Sequence, residues 1–177
     1  MTMGSVSGRL SQFWLRKLHS LTGFVFLGYF LSFHLRGEGT YGAALPRVAA
    51  LYLPLLFHGL YGLYITYEAR PNALRYAWVR NWMYLGQRAS GAVLCAFLPL
   101  HLGAVHWGAS YADARWYRTA WYAGLLAATF HLTNGLFGTA IDWGATVGPR
   151  SQKVLLGLCV AAFLALSGYG LQTLWSF

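Results

Sequence analysis

The chain has 177 residues, of which 57% are hydrophobic, 18% aromatic and only 10% charged. Soluble domains carry about 25% charged residues, so this composition excludes an ordinary water-soluble domain and a disordered chain and points to a membrane-embedded protein. The formal net charge of +9 comes from 13 Lys and Arg scattered among segment ends, whereas a nucleic-acid-binding domain would gather them on one soluble face.

Residues 1–8 read as a short disordered tail. Five charge-free stretches follow: 18–35 (18 residues), 48–67 (20), 89–112 (24), 119–141 (23) and 154–177 (24). Each is long enough, or nearly so, to cross roughly 30 Å of hydrocarbon as a helix rising about 1.5 Å per residue. The stretches are rich in Leu, Ala and Gly and lack the alternation of a membrane barrel, so strands are disfavoured. The first is followed by further spans and by no small-residue cleavage site, so it reads as a span and not a signal peptide. The expectation is an all-α membrane protein: one integral domain over 1–177 with five transmembrane helices, the first four forming a bundle and the fifth peripheral.

The basic residues orient this bundle. Arg9, Arg16, Lys17, Arg70, Arg75, Arg80, Arg88, Arg150 and Lys153 fall on one side, against Arg36, Arg47, Arg115 and Arg118 on the other. The richer side is cytoplasmic by the positive-inside rule, which places the N-terminus in the cytoplasm and the C-terminus outside.

All six histidines lie within the charge-free stretches: His19 and His34 in the first, His58 in the second, His101 and His106 in the third, His131 in the fourth. His34 lies about 11 Å and His101 about 10 Å outward of the span centre at the helical rise, whereas His58 and His131 lie within about 3 Å of it. Two histidines per layer, on different helices, suit a metal cofactor held between facing helices. Zinc would need third and fourth ligands at one depth; haem needs two axial imidazoles, which leave the iron no open site and direct the chemistry to electron transfer. Small residues at Gly23, Ser90 and Gly124 would leave room for a porphyrin. The plain alternative is a haem-free scaffold or transporter whose histidines pack helices or relay protons. Cys95 and Cys159 form no CxxC or CxxCH motif and read as packing residues. The run Gly37-Glu38-Gly39-Thr40-Tyr41-Gly42 matches GxGxxG in letters only, since it follows a transmembrane helix and not a strand.

Five segments then carry a resemblance: FWLRKLHSLTG (13–23), FHGLYGLY (57–64), RNWMYLGQRASG (80–91), FHLTNGLFG (130–138) and TVGPRSQK (146–153). With them the chain resembles the five-helix, two-haem cytochrome b subunits that anchor succinate dehydrogenase or fumarate reductase to the inner membrane. The resemblance implies two haems b, with His34 and His101 on the outer iron and His58 and His131 on the inner one. It implies flavoprotein and iron–sulfur partner subunits on the cytoplasmic face, and a quinone, menaquinone favoured, reduced near the outer face. Ser20, Trp82, Gln87 and Arg88 fall in segments that line the inner haem and a propionate in such proteins, and His19 beside Arg16 and Lys17 suits a propionate as well. Glu38, four residues after His34, is the candidate for proton delivery to the quinone; a loop carboxylate paired with Arg36 is the alternative. A cytochrome b serving a hydrogenase or formate dehydrogenase is the second redox reading.

Overall fold

The computed structural model describes residues 6–35, 48–70, 74–108, 110 and 113–175, and the side chains among them except at 6–9, 30–35, 48, 105–107 and 173–175. Among the described residues every regular element is helical. Helix α1 spans Val6–Leu35; a π-helical turn at Val48–Tyr52 runs into α2, Leu53–Tyr67; α3 spans Val79–Trp107, α4 Arg115–Asp142 and α5 Pro149–Trp175. Pro54, in the first turn of α2, has no N–H for the carbonyl four residues back, which accounts for the wider π hydrogen bonding just before it.

Five helices match the sequence expectation, but their ends do not coincide with the charge-free stretches. Helix α1 starts at Val6, so residues 6–8, expected in a disordered tail, are helical. Helix α3 starts ten residues before Ala89 and carries Arg80 and Arg88. A helix satisfies its own backbone hydrogen bonds whatever surrounds it, so it continues past the hydrocarbon edge while long basic side chains reach back to the interface. Two helical segments, Ala49–Tyr67 and Pro149–Gln172, are long and apolar enough on their own to cross a membrane by length and composition. The others are diluted by polar and small residues such as Gln87, Ser90, Thr129, His131 and Asn134.

The chain forms two compact units, Met1–Glu68 and Ala69–Phe177. In the first, α1 packs against α2 and the π turn; in the second, α4 packs against both α3 and α5. Neighbouring helices within each unit run antiparallel, as short connections require. The interior of the second unit is lined by hydroxyls: Ser90, Thr129, Thr133 and Ser167 are buried, and Thr129 Oγ1 meets Ser167 Oγ at 2.8 Å across the α4–α5 contact. The outer face of α5 presents Leu158 and Leu164, each 63% exposed. Apolar outside with small and hydroxyl residues inside is the arrangement lipid favours.

Candidate functional site

In the first unit, α1 and α2 cross where His19 meets His58. The two rings stack with centroids 4.0 Å apart and planes 12° from parallel. His58 Nδ1 lies 2.9 Å from the backbone oxygen of His19; a carbonyl only accepts, so Nδ1 carries the proton and Nε2 is the lone-pair nitrogen of His58. Close approach is possible because each histidine faces a glycine. A methyl group at Gly23 would lie 2.8 Å from His58 Cε1, and one at Gly62 would lie 3.2 Å from His19 Cε1.

In the second unit, α3 and α4 cross where Gln87 meets His131. His131 Nδ1 donates to the Gln87 backbone oxygen at 3.1 Å, and Gln87 Nε2 donates to the His131 backbone oxygen at 3.1 Å. Ser90 Oγ donates to the same Gln87 carbonyl at 3.1 Å and sits 3.2 Å from His131 Nδ1. Asn134 Nδ2 holds Gln87 in place, donating to Gln87 Oε1 at 2.7 Å and to the Met83 carbonyl at 2.9 Å. Nε2 is again the lone-pair nitrogen. Glycines again receive the side chains: a methyl at Gly91 would lie 3.1 Å from His131 Cε1, and one at Gly135 would lie 3.0 Å from Gln87 Nε2.

Farther along the same helix pair, His101 stands in an aromatic cluster. It stacks on Phe97 one turn earlier, with centroids 5.5 Å apart, and meets the edge of Trp121 at 4.5 Å. Phe97 is only 8% exposed and fills the space beside Gly124, whose backbone it touches so closely that no methyl group fits there.

The expected porphyrin-sized room at Gly23, Ser90 and Gly124 is therefore occupied by protein rings: His58 against Gly23, His131 against Ser90 and Phe97 against Gly124. A glycine on a helix contact admits whichever neighbour is nearest, and here that neighbour is a side chain of the facing helix. Among the other candidates, Ser20 Oγ donates back to the Arg16 carbonyl at 3.3 Å. Arg88 lies over the Tyr84 ring, 3.3 Å from its centroid, and donates to the Tyr84 carbonyl. Trp82 is 47% exposed near the start of α3. Glu38 lies outside the described residues, and the side chains of His34 and His106 do also, although both residues belong to helices. Among the described residues no three His, Cys, Asp or Glu side chains gather as a metal-ion cage. Asn134 is the residue of this crossing that sequence reasoning missed as a site residue. Its place three residues after His131 puts it on the same helix face.

Helices apolar outside, hydroxyl-lined inside and crossing at anchored histidines define an all-α membrane protein. Compared with known proteins, the chain is 32% identical over 196 aligned residues to the succinate dehydrogenase cytochrome b558 subunit of Bacillus subtilis (strain 168), an alignment covering 94% of this chain and 97% of that relative. The chain belongs to the family of succinate dehydrogenase cytochrome b subunits. No protein-family model and no solved structure matches it.

Proposed function

We propose that the chain is the membrane-anchoring, two-haem cytochrome b subunit of a succinate:quinone oxidoreductase, linking cytoplasmic flavoprotein and iron–sulfur subunits to a quinone, menaquinone favoured. The observation that carries this reading is that His58 and His131 each donate Nδ1–H to a backbone carbonyl of the facing helix. A metal-binding histidine is held in this way: the bond fixes the tautomer, makes Nε2 the coordinating atom and raises its basicity. The donor chemistry of these histidines, a neutral imidazole with Nδ1–H held and Nε2 left to coordinate, suits haem b, which held by two imidazoles would supply a one-electron couple.

His58 and His131 are assigned to the inner iron, His34 and His101 to the outer. Phe97 and Trp121 hold the His101 ring from its face and edge. Arg88, Trp82 and Ser20 serve the cytoplasmic edge of the inner group, where a guanidinium suits a propionate. On this reading residues 1–177 are a single integral membrane domain of five spans with the N-terminus in the cytoplasm and the C-terminus outside. Helix α5, which has no histidine and packs on α4, is peripheral to the haems.

The test is haem stoichiometry and the reduced-minus-oxidised spectrum of the purified complex, for the wild type and for His34→Ala, His58→Ala, His101→Ala and His131→Ala. Two haems per chain are expected, with His58→Ala and His131→Ala losing the same one and His34→Ala and His101→Ala losing the other. Colourless protein, or variants that keep both chromophores, would overturn the reading.

A further inference from the structure

The crossings of the two units are the same device built twice. On α1, His19 is followed four residues later by Gly23; on α2, Phe57-His58 is followed by Gly62. On α3, Gln87 is followed four residues later by Gly91; on α4, Phe130-His131 is followed by Gly135. Residues i and i+4 share a helix face, so each helix presents one polar side chain and one glycine to its antiparallel neighbour. In both units the polar side chain of each helix rests on the other's glycine. The four methyl-to-side-chain distances, 2.8 Å at Gly23, 3.2 Å at Gly62, 3.1 Å at Gly91 and 3.0 Å at Gly135, mark one tightness of approach. In both, the histidine of the second helix donates Nδ1–H to the backbone carbonyl of the polar residue on the first, at 2.9 Å to His19 and 3.1 Å to Gln87.

Superposing the roles pairs His58 with His131, Gly23 with Gly91, Gly62 with Gly135, and His19 with Gln87. Glutamine is a poor ligand for haem iron, and its counterpart occupies the same place by stacking on the ligand histidine. We infer that His19 and Gln87 are equivalent positioning residues that set the ring plane and the Nδ1 hydrogen bond of the inner pair of haem ligands, one per unit, and that neither coordinates iron or serves a propionate. Gln87 acts by a side-chain strap to the His131 carbonyl, itself tied down by Asn134. His19 acts by ring contact with His58. The inference rests on the assignment of His58 and His131 to one haem.

The equivalence makes a swap informative. In the purified complex, His19→Gln and Gln87→His exchange the two solutions and should keep both haems. His19→Leu and Gln87→Leu abolish them and should loosen the Nδ1–H bond, leaving a less basic imidazole. Outer-shell changes of this kind move metal-site equilibria by 10-fold or more. A 10-fold shift of the inner haem toward its reduced form is a rise of about 59 mV in its midpoint. Its low-spin ferric resonance should move with the ring plane, while the outer haem's signals stay in place. Should Gln87→Leu fail to assemble, Asn134→Ala frees the strap at its far end and should shift the same haem in the same direction. Loss of a haem in His19→Gln would mark His19 as a ligand and overturn the proposal. So would Leu variants, or an assembled Asn134→Ala, with both midpoints and both resonances unmoved. Failure of the underlying assignment is distinguishable, because His58→Ala and His131→Ala would then not lose the same chromophore.

Discussion

The imidazole of His58 lies directly on the backbone of Gly23, with Cε1 and Nδ1 at 2.8 and 2.9 Å from where a methyl group would stand. No side chain but hydrogen fits between them. The hydrogen bond from His58 to the His19 carbonyl depends on that contact, because it lets the ring reach across to the backbone of α1.

Gly23→Ala is accordingly expected to push His58 off the His19 carbonyl. Overpacking a fitted contact costs about 1–3 kcal/mol, and the ring relieves it by moving. The inner haem should be lost or weakly bound in the purified complex, seen as loss of one of two chromophores in the reduced spectrum. Gly28→Ala on the same helix is the control: a methyl there meets nothing within 4 Å and should leave both haems. Equal spectra for the two variants would contradict the role given to Gly23.

Gly124→Ala tests the other end of the α3–α4 pair. Its methyl collides with Phe97, which in turn stacks on His101, so the disturbance passes to the histidine assigned to the outer iron. The expected result is a shift or loss of the outer chromophore with the inner one retained, the reverse of Gly23→Ala. Gly138→Ala, whose methyl would also meet nothing within 4 Å, should leave both unchanged.

How far all this can be read from sequence differs from residue to residue. The number of helices follows from the charge-free stretches, and their antiparallel neighbours from the short connections, because both rest on hydrocarbon thickness and chain reach. Helix ends do not, as Val6 and Val79 illustrate: the charge pattern marks where the hydrocarbon stops, not where hydrogen bonding stops. Candidate ligands stand out because a histidine deep in an apolar stretch is rare. What holds them is hidden. The carbonyls of His19 and Gln87 are backbone groups with no letter of their own, and the contacts join residues 39 and 44 apart in sequence. A visible trace did exist in the recurring four-residue spacing from His19, His58, Gln87 and His131 to a glycine.

Glu38 bears on the quinone. If it delivers protons near the outer face, Glu38→Gln should lower quinone reductase activity on the order of 100-fold, the usual reach of a positioned acid or base. Both haem spectra should stay unchanged, since the substitution removes a proton and not a ligand. Unaltered turnover in the assembled complex would return Glu38 to the role of a loop carboxylate beside Arg36.

The hydroxyl pair between α4 and α5 predicts what the fifth helix contributes. Thr129 and Ser167 are 8% and 6% exposed and lie 2.8 Å apart, with Phe130 and Phe163 in edge contact beside them. Thr129→Val keeps the shape and removes the hydroxyl, so Ser167 loses its cross-helix partner. Interhelical hydrogen bonds in membranes average about 0.6 kcal/mol, because alternative partners exist in the unfolded state within lipid, so the loss should be small. Helix α5 should loosen while α3 and α4 keep their contacts through Gln87, His131 and Phe97. The expected outcome is a modest fall in the midpoint of thermal or detergent unfolding, with haem content and both midpoint potentials unchanged. A changed haem potential in Thr129→Val would mean that α5 couples to the ligand helices and is not peripheral to them.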